Sequence, residues 1–314
     1  MNTLSFGQRP RRAIRWATSM LLLNALSAAA AGPAPDGRQS LVHQGVERGY
    51  VVRSPGVAPA PGQRLPLVLV LHGGGGNAAV TEAMTGFTDK AKREGFIVVY
   101  PEGTGRLGRR LLTWNAGHCC GQAMMRQVDD VGFIRALIHR LEADHPVDPQ
   151  RIYATGMSNG GMMSHRLGIE LSDRLAAIAP VVAALFGDER KPAHPVSALM
   201  INGQLDASVP AAGGAPGGRF PDAWDGTPAL PALAQGSFWA AANGCATTPD
   251  STRQGPITRS RYRCNSGRGV EVVLVGDNGH AWPGGKAGSR RGDTPSTALN
   301  ATDAIWSFFK AHSK

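Results

Sequence analysis

Arg151-Ile152-Tyr153-Ala154-Thr155-Gly156-Met157-Ser158-Asn159-Gly160-Gly161 is the run around which the rest of this chain can be ordered. Ile152 to Thr155 has the character of a short buried strand, and it breaks into Gly-x-Ser-x-Gly. Met162, Met163, Leu167 and Leu171 then recur at helical spacing. A strand that turns at once into a helix needs small residues two positions either side of the turning residue. Gly156 and Gly160 supply that room. Ser158, at the turn, is expected in a strained backbone conformation that holds its hydroxyl out from the strand end.

Apolar strands and helical patterns alternate on both sides of this run. Tyr50 to Arg53 reads as an early strand. Leu67 to Leu71 is a continuous apolar strand that enters His72-Gly73-Gly74-Gly75-Gly76. Val80 to Arg93 reads as a helix, and Phe96 to Tyr100 as a strand stopped by Pro101. Asp129 or Asp130 can cap a helix through Phe133, Ile134, Leu137, Ile138 and Leu141. Ala177 to Val182, Ala198 to Asn202 and Val270 to Val275 give further strands, and Ala301 to Phe309 a closing helix. Strands apolar throughout and separated by helices predict an α/β domain whose mostly parallel sheet is covered on both faces. Residues 211 to 231, rich in Gly, Pro and Ala, read as a long surface loop.

A serine by itself is a poor nucleophile, so the turn gains meaning only with a base and an acid. Asp206 follows the strand Ala198 to Asn202, and His280 follows the strand Val270 to Val275. The order Ser158, Asp206, His280, each after a strand, is the order of the α/β-hydrolase fold. In that chemistry His280 takes the serine proton, and Asp206 fixes the imidazole tautomer. Asp222, Asp225 and Asp277 are rival acids. The glycine run after Leu71 suits backbone donors aimed at a developing oxyanion, assigned to the N–H groups of Gly74 and Asn159. No Lys-Ser/Thr follows the run, which argues against a phosphate loop.

The chain of 314 residues is long enough for one large domain, expected over 32–314. Before it, Arg9, Arg11, Arg12 and Arg15 precede the apolar segment Trp16 to Leu26 and the small residues Ser27 to Ala31. This pattern predicts a signal peptide over 1–31, with a secreted or periplasmic product and no stable membrane insertion after cleavage. Sec and twin-arginine routes both stay open. Residues 1–31 hold no Asp or Glu, so removing their four arginines lowers the formal charge from +10 to +6. The remaining basic residues are scattered without interleaved aromatics, which excludes nucleic acid as the expected partner.

The segments Leu71-His72-Gly73-Gly74, Trp114 to Gly121, Val128 to Ile134, Gly156 to Met163 and Gly279 to Gly285 together resemble the polyhydroxybutyrate depolymerase family of secreted esterases. Feruloyl and acetyl-xylan esterases belong to the same family. The resemblance spans roughly Tyr50 to His312. It implies an α/β-hydrolase that needs no cofactor and has Ser158, Asp206 and His280 as its triad. It also implies Trp114 and Trp282 as aromatic residues flanking the bound group. The substrate class implied is a short hydroxyalkanoate ester or oligomer, with feruloyl or acetyl esters of plant polysaccharide as the second reading. A non-catalytic binding protein on the same fold is a third, set against the presence of all three triad residues. The chain ends with its closing helix and shows no appended binding module, so soluble esters are expected over solid polymer.

Four cysteines form two pairs. Cys245 and Cys264 flank a polar excursion, and in an exported protein a disulfide closing it is expected. Cys119 and Cys120 are adjacent, and a vicinal disulfide or two free thiols both fit. No metal is expected, since neither His118 nor these cysteines has a second ligand set at suitable spacing. Asp129 and Asp130 read as helix caps.

Overall fold

The computed structural model describes residues 1–4, 36–57, 59–105, 108, 110–217, 223–265, 267–290 and 292–314. The expected signal peptide therefore lies outside the described residues apart from its first four, as does Asp222. The chain divides into Met1–Gly32 and Pro33–Lys314, and the second unit is the folded domain described below.

Among the described residues ten strands form one sheet: β1 (Gly37–His43), β2 (Val46–Arg53), β3 (Leu65–Leu71), β4 (Ile97–Pro101), β5 (Val147–Met157), β6 (Ala177–Val181), β7 (Ser197–Gly203), β8 (Asp250–Gln254), β9 (Ile257–Tyr262) and β10 (Val270–Val275). Their order is β1-β2-β4-β3-β5-β6-β7-β10-β9-β8. From β4 to β10 the neighbours are parallel, and antiparallel strands finish each side. The helices among the described residues are α1 (Ala78–Thr85), α2 (Phe87–Glu94), α3 (Gly121–Met125), α4 (Asp130–Asp144), α5 (Asn159–Glu170), α6 (Ala232–Ala242) and α7 (Ala301–Phe309).

Side chains alternate across the sheet, so each strand feeds two cores. Leu65, Leu67, Leu69 and Leu71 of β3 pack with Phe133, Leu137, Met163, Leu167 and Trp239 from α4, α5 and α6. Val68 and Val70 point the other way, into a cluster with Phe87, Ala91, Ile305, Trp306 and Phe309 from α2 and α7. Both faces of the central strands are buried, which explains why these strands read as unbroken apolar runs.

The expected helix Val80 to Arg93 is two helices. Gly86 adopts φ 67°, ends α1 by giving its N–H to Glu82 O, and starts α2. The left-handed conformation is open to glycine and stops helical continuation. The 211–231 segment is a loop in its described part, bridged within itself between Gly214 and Ala229 and to Cys119 through Trp224.

The chain passes from β3 to β4 on one side and later returns to β5 on the other. Connections therefore diverge at the carboxyl end of β3, where ligands of open parallel sheets bind. Leu71 is paired with Gly156, which sets the loop after β3 against the turn after β5.

Candidate active site

Ser158 stands between β5 and α5 with φ 56° and ψ −124°, a conformation that side-chain-bearing residues rarely adopt. The turn is as tight as the glycines suggest. A Cβ on Gly156 would lie 2.6 Å from the carbonyl carbon of Gly160, and one on Gly160 would lie 2.5 Å from the carbonyl oxygens of Leu71 and His72. Ser158 N–H donates to Val181 O at 2.9 Å, and its carbonyl accepts the Met162 N–H at 2.8 Å.

Asp206 and His280 come from the loops after β7 and β10, which are adjacent parallel strands and so deliver both residues to the same edge as Ser158. His280 Nδ1 lies 2.8 Å from Asp206 Oδ2. The other carboxylate oxygen accepts the N–H groups of Ser208 and Val209, each at 2.8 Å. The Asp206 side chain is fully buried while that of His280 is 21% accessible, so the carboxylate is fixed and the imidazole faces the surface. With a carboxylate on Nδ1, the ring carries its proton there and turns Nε2 out as an acceptor. The two rival acids among the described residues are engaged elsewhere: Asp277 Oδ1 accepts from Ser296 Oγ at 2.6 Å, and Asp225 Oδ2 lies 2.7 Å from His118 Nδ1.

The glycine loop after β3 lies against the Ser158 turn. A Cβ on Gly73 would be 3.7 Å from Ser158 Cβ, and one on Gly74 would be 3.8 Å from Asn159 Cβ. Gly75 N–H is given to Leu112 O and Gly76 N–H to Gly73 O. Asn159 opens α5, so its N–H has no carbonyl one turn back to bond. His72 sets the loop from beneath: Gly103 N–H donates to Nε2 at 2.9 Å, which leaves Nδ1 to donate to Gly73 O at 2.8 Å. Burial drives the His72 pKa down to about 4, so the ring is neutral and this one tautomer persists.

The sequence matches the family described as Esterase PHB depolymerase over residues 50–215, more than half of the chain. The chain belongs to that family. Feruloyl esterase B of Piromyces equi is 33% identical over 231 residues, covering 71% of this chain and 41% of that protein. Poly(3-hydroxybutyrate) depolymerase of Ralstonia pickettii is 25% identical over 315 residues, covering 88% of this chain and 61% of that protein. This chain therefore spans less than two thirds of the length of either relative. Among solved structures, the acetyl xylan esterase from Aspergillus awamori shares the α/β-hydrolase fold, with a TM-score of 0.60 at 13% identity over 88% of this chain and 99% of that one.

Two residues expected to face substrate in this PHB depolymerase family domain do not. Trp282 is 1% exposed, meets Phe87 edge to face at 6.2 Å, and donates Nε1–H to Thr302 Oγ1 at 3.1 Å. Trp114 is 0% exposed, lies against the His72 ring at 4.9 Å, and donates Nε1–H to His72 O at 3.1 Å. Its main chain is clasped by the Asn159 side chain, which accepts Trp114 N–H at 2.7 Å and donates to Trp114 O at 3.0 Å. An indole whose faces are covered and whose N–H is paired offers a ligand no surface. Both tryptophans are packing residues, and Trp114 additionally steadies the glycine loop.

Cys245 and Cys264 are bridged, closing the β8–β9 hairpin segment, and Cys119 and Cys120 are paired with each other. His118 bridges Asp225 and Asp188, at 2.7 and 2.9 Å. Burial opposes its charge, but the two carboxylates outweigh that and hold its pKa above the ordinary value. Asp129 is the N-cap of α4, accepting Gly132 N–H, while Asp130 is buried and binds Arg48 Nη2 at 2.6 Å and Asn115 N–H at 2.8 Å. Among the described residues, no group of three or more His, Cys, Asp or Glu is placed to hold a metal ion. Among the same residues, no helix is long and apolar enough to cross a membrane. A cavity of about 830 Å³ runs along α5, lined by His118, Met162, Arg166, Phe186 and Asp188, and its lining includes no member of the Ser158, Asp206, His280 set.

Asn278 belongs to this site without any signal in the sequence that marks it. Its Nδ2 donates to Gly279 O at 2.8 Å and to Ala281 O at 3.0 Å, and its Oδ1 accepts Ser296 N–H at 2.9 Å. A buried asparagine inside a Gly-Asp-Asn-Gly turn carries no periodic signal that separates it from an ordinary turn residue.

Proposed function

We propose that this chain hydrolyses carboxylic esters through a covalent acyl-enzyme. The observation that carries the reading is the 2.8 Å contact of the buried Asp206 carboxylate with His280 Nδ1, at the sheet edge where Ser158 is held with φ 56°. Ser158 Oγ attacks the ester carbonyl carbon as His280 Nε2 removes its proton. The resulting imidazolium is stabilised by Asp206. The N–H groups of Gly74 and Asn159 receive the oxyanion. Collapse expels the alcohol, which takes its proton from His280. Water then attacks the acyl carbon, giving one proton to His280, and Ser158 leaves with that proton restored.

The substrate class is a short hydroxyalkanoate ester or oligomer. Feruloyl or acetyl esters on polysaccharide form the second reading, favoured by the 33% identity with the feruloyl esterase B of Piromyces equi. The Cys245–Cys264 bridge supports an exported protein, with residues 1–31 as its removed leader. Purified protein assayed on p-nitrophenyl acetate and butyrate, hydroxybutyrate oligomers and methyl ferulate tests the reading. Turnover lost on Ser158→Ala by about a million-fold supports it. Unchanged turnover in that variant overturns it, and no turnover of any ester by the parent protein favours a binding role.

A further inference from the structure

The imidazole of His280 is pinned at one end only by Asp206. A ring held through Nδ1 alone can still swing about that contact, and the aim of Nε2 then depends on where the main chain of His280 sits. The structure holds that main chain with a second carboxylate. His280 N–H donates to Asp293 Oδ2 at 2.6 Å, a charge-assisted bond. The neighbouring position is shaped to admit it, since a Cβ on Gly279 would overlap the Asp293 carboxylate.

Asp293 does not hang free on its segment. Three residues later, Ser296 gives its N–H to Asn278 Oδ1 at 2.9 Å and its hydroxyl to Asp277 Oδ1 at 2.6 Å, and its carbonyl accepts Gly284 N–H at 2.8 Å. The segment 293–296 is thus strapped across the base loop on both sides of His280, and its one carboxylate ends on the His280 amide.

We infer that Asp293 is a positioning residue for His280, a second carboxylate that fixes the base through its backbone amide while Asp206 fixes it through the ring. The inference rests on the proposed role of His280. Asp293 is exposed, so its loss opens no cavity. What changes is the placement of the base, and small misplacements of a catalytic group cost up to about a hundredfold in rate.

The test compares Asp293→Ala with Asp293→Asn, whose amide oxygen can accept the same N–H. On p-nitrophenyl acetate, Asp293→Ala is expected to lower kcat about tenfold with KM within twofold and with an unchanged melting temperature. Asp293→Asn is expected to recover kcat to within about threefold of the parent. A kcat within twofold of the parent for Asp293→Ala overturns the inference. So do equal losses in the two variants, or a loss in kcat that tracks a fall in melting temperature. Ser158→Ala assayed alongside separates the two readings: full activity there removes the proposed mechanism, whereas loss there with an unaffected Asp293→Ala removes only the role of Asp293.

Discussion

The carbonyl oxygen of Asn278 accepts the N–H of Leu205 at 3.0 Å, tying the residue before the acid to the residue two before the base. Gln204 N–H to Val275 O, also 3.0 Å, makes the same connection one step earlier. The acid and base loops are therefore one hydrogen-bonded unit. The 2.8 Å contact of Asp206 with His280 follows from main-chain geometry more than from the two side chains finding each other.

Asn278→Ala tests that unit. The side chain serves Gly279 O, Ala281 O and Ser296 N–H in a fully buried position. Each buried partner left unpaired costs about 1–3 kcal/mol, so a loss of about 3 kcal/mol is expected. Urea unfolding should show this, together with a fall in kcat. A change below about 0.5 kcal/mol would mean that water replaces the amide without penalty.

Trp282→Ala should act on stability. Deleting a fully buried indole typically costs about 3–5 kcal/mol, whereas a substrate wall would give losses that grow with acyl size. Calorimetry on the variant, with kcat/KM measured from acetate to octanoate esters, distinguishes the two. An unchanged melting temperature with a selective loss on large esters would restore the pocket role.

Val270–Val275 and Ala301–Phe309 have the bounds that their apolar patterns predict, because a strand buried on both faces and an amphipathic helix each leave a periodic trace. The chain order of Ser158, Asp206 and His280 was legible for a related reason, since each follows such a strand. β1 was not, because Gly37–His43 lies at the sheet edge and is nowhere fully buried. Nor was α6, whose Ala232–Ala242 run lacks a polar face and has no side-chain cap. Side-chain direction is also silent in sequence: Trp114 and Trp282 sit beside the segments that carry Ser158 and His280, yet both turn inward.

Two buried histidines should make the fold acid-sensitive. His72 is pushed from 6.5 to about 4 and His165 to about 3, in both cases chiefly by burial. Trp239 Nε1–H donates to His165 Nδ1 at 3.0 Å, so protonation there would set two donors against each other. Both rings are neutral in the fold and protonated in the unfolded chain below pH 6.5. Their stabilising effect is thus complete above that pH and declines as pH falls toward the folded values. At pH 5 each has lost about 2 kcal/mol. Urea unfolding of the parent and of His165→Gln at pH 7 and pH 5 checks this, with a shallower pH dependence expected in the variant. Identical dependence would show that His165 does not contribute.

The nucleophile itself can be seen directly. Intact mass spectrometry after treatment with a fluorophosphonate, followed by peptide mapping, reports which side chain is activated for attack on an electrophilic centre. One adduct per chain, on Ser158 and absent in His280→Ala, is the result expected if the β5–α5 turn, Asp206 and His280 act together. An ester-hydrolysing preparation that takes no label, or takes it at another residue, would contradict the account.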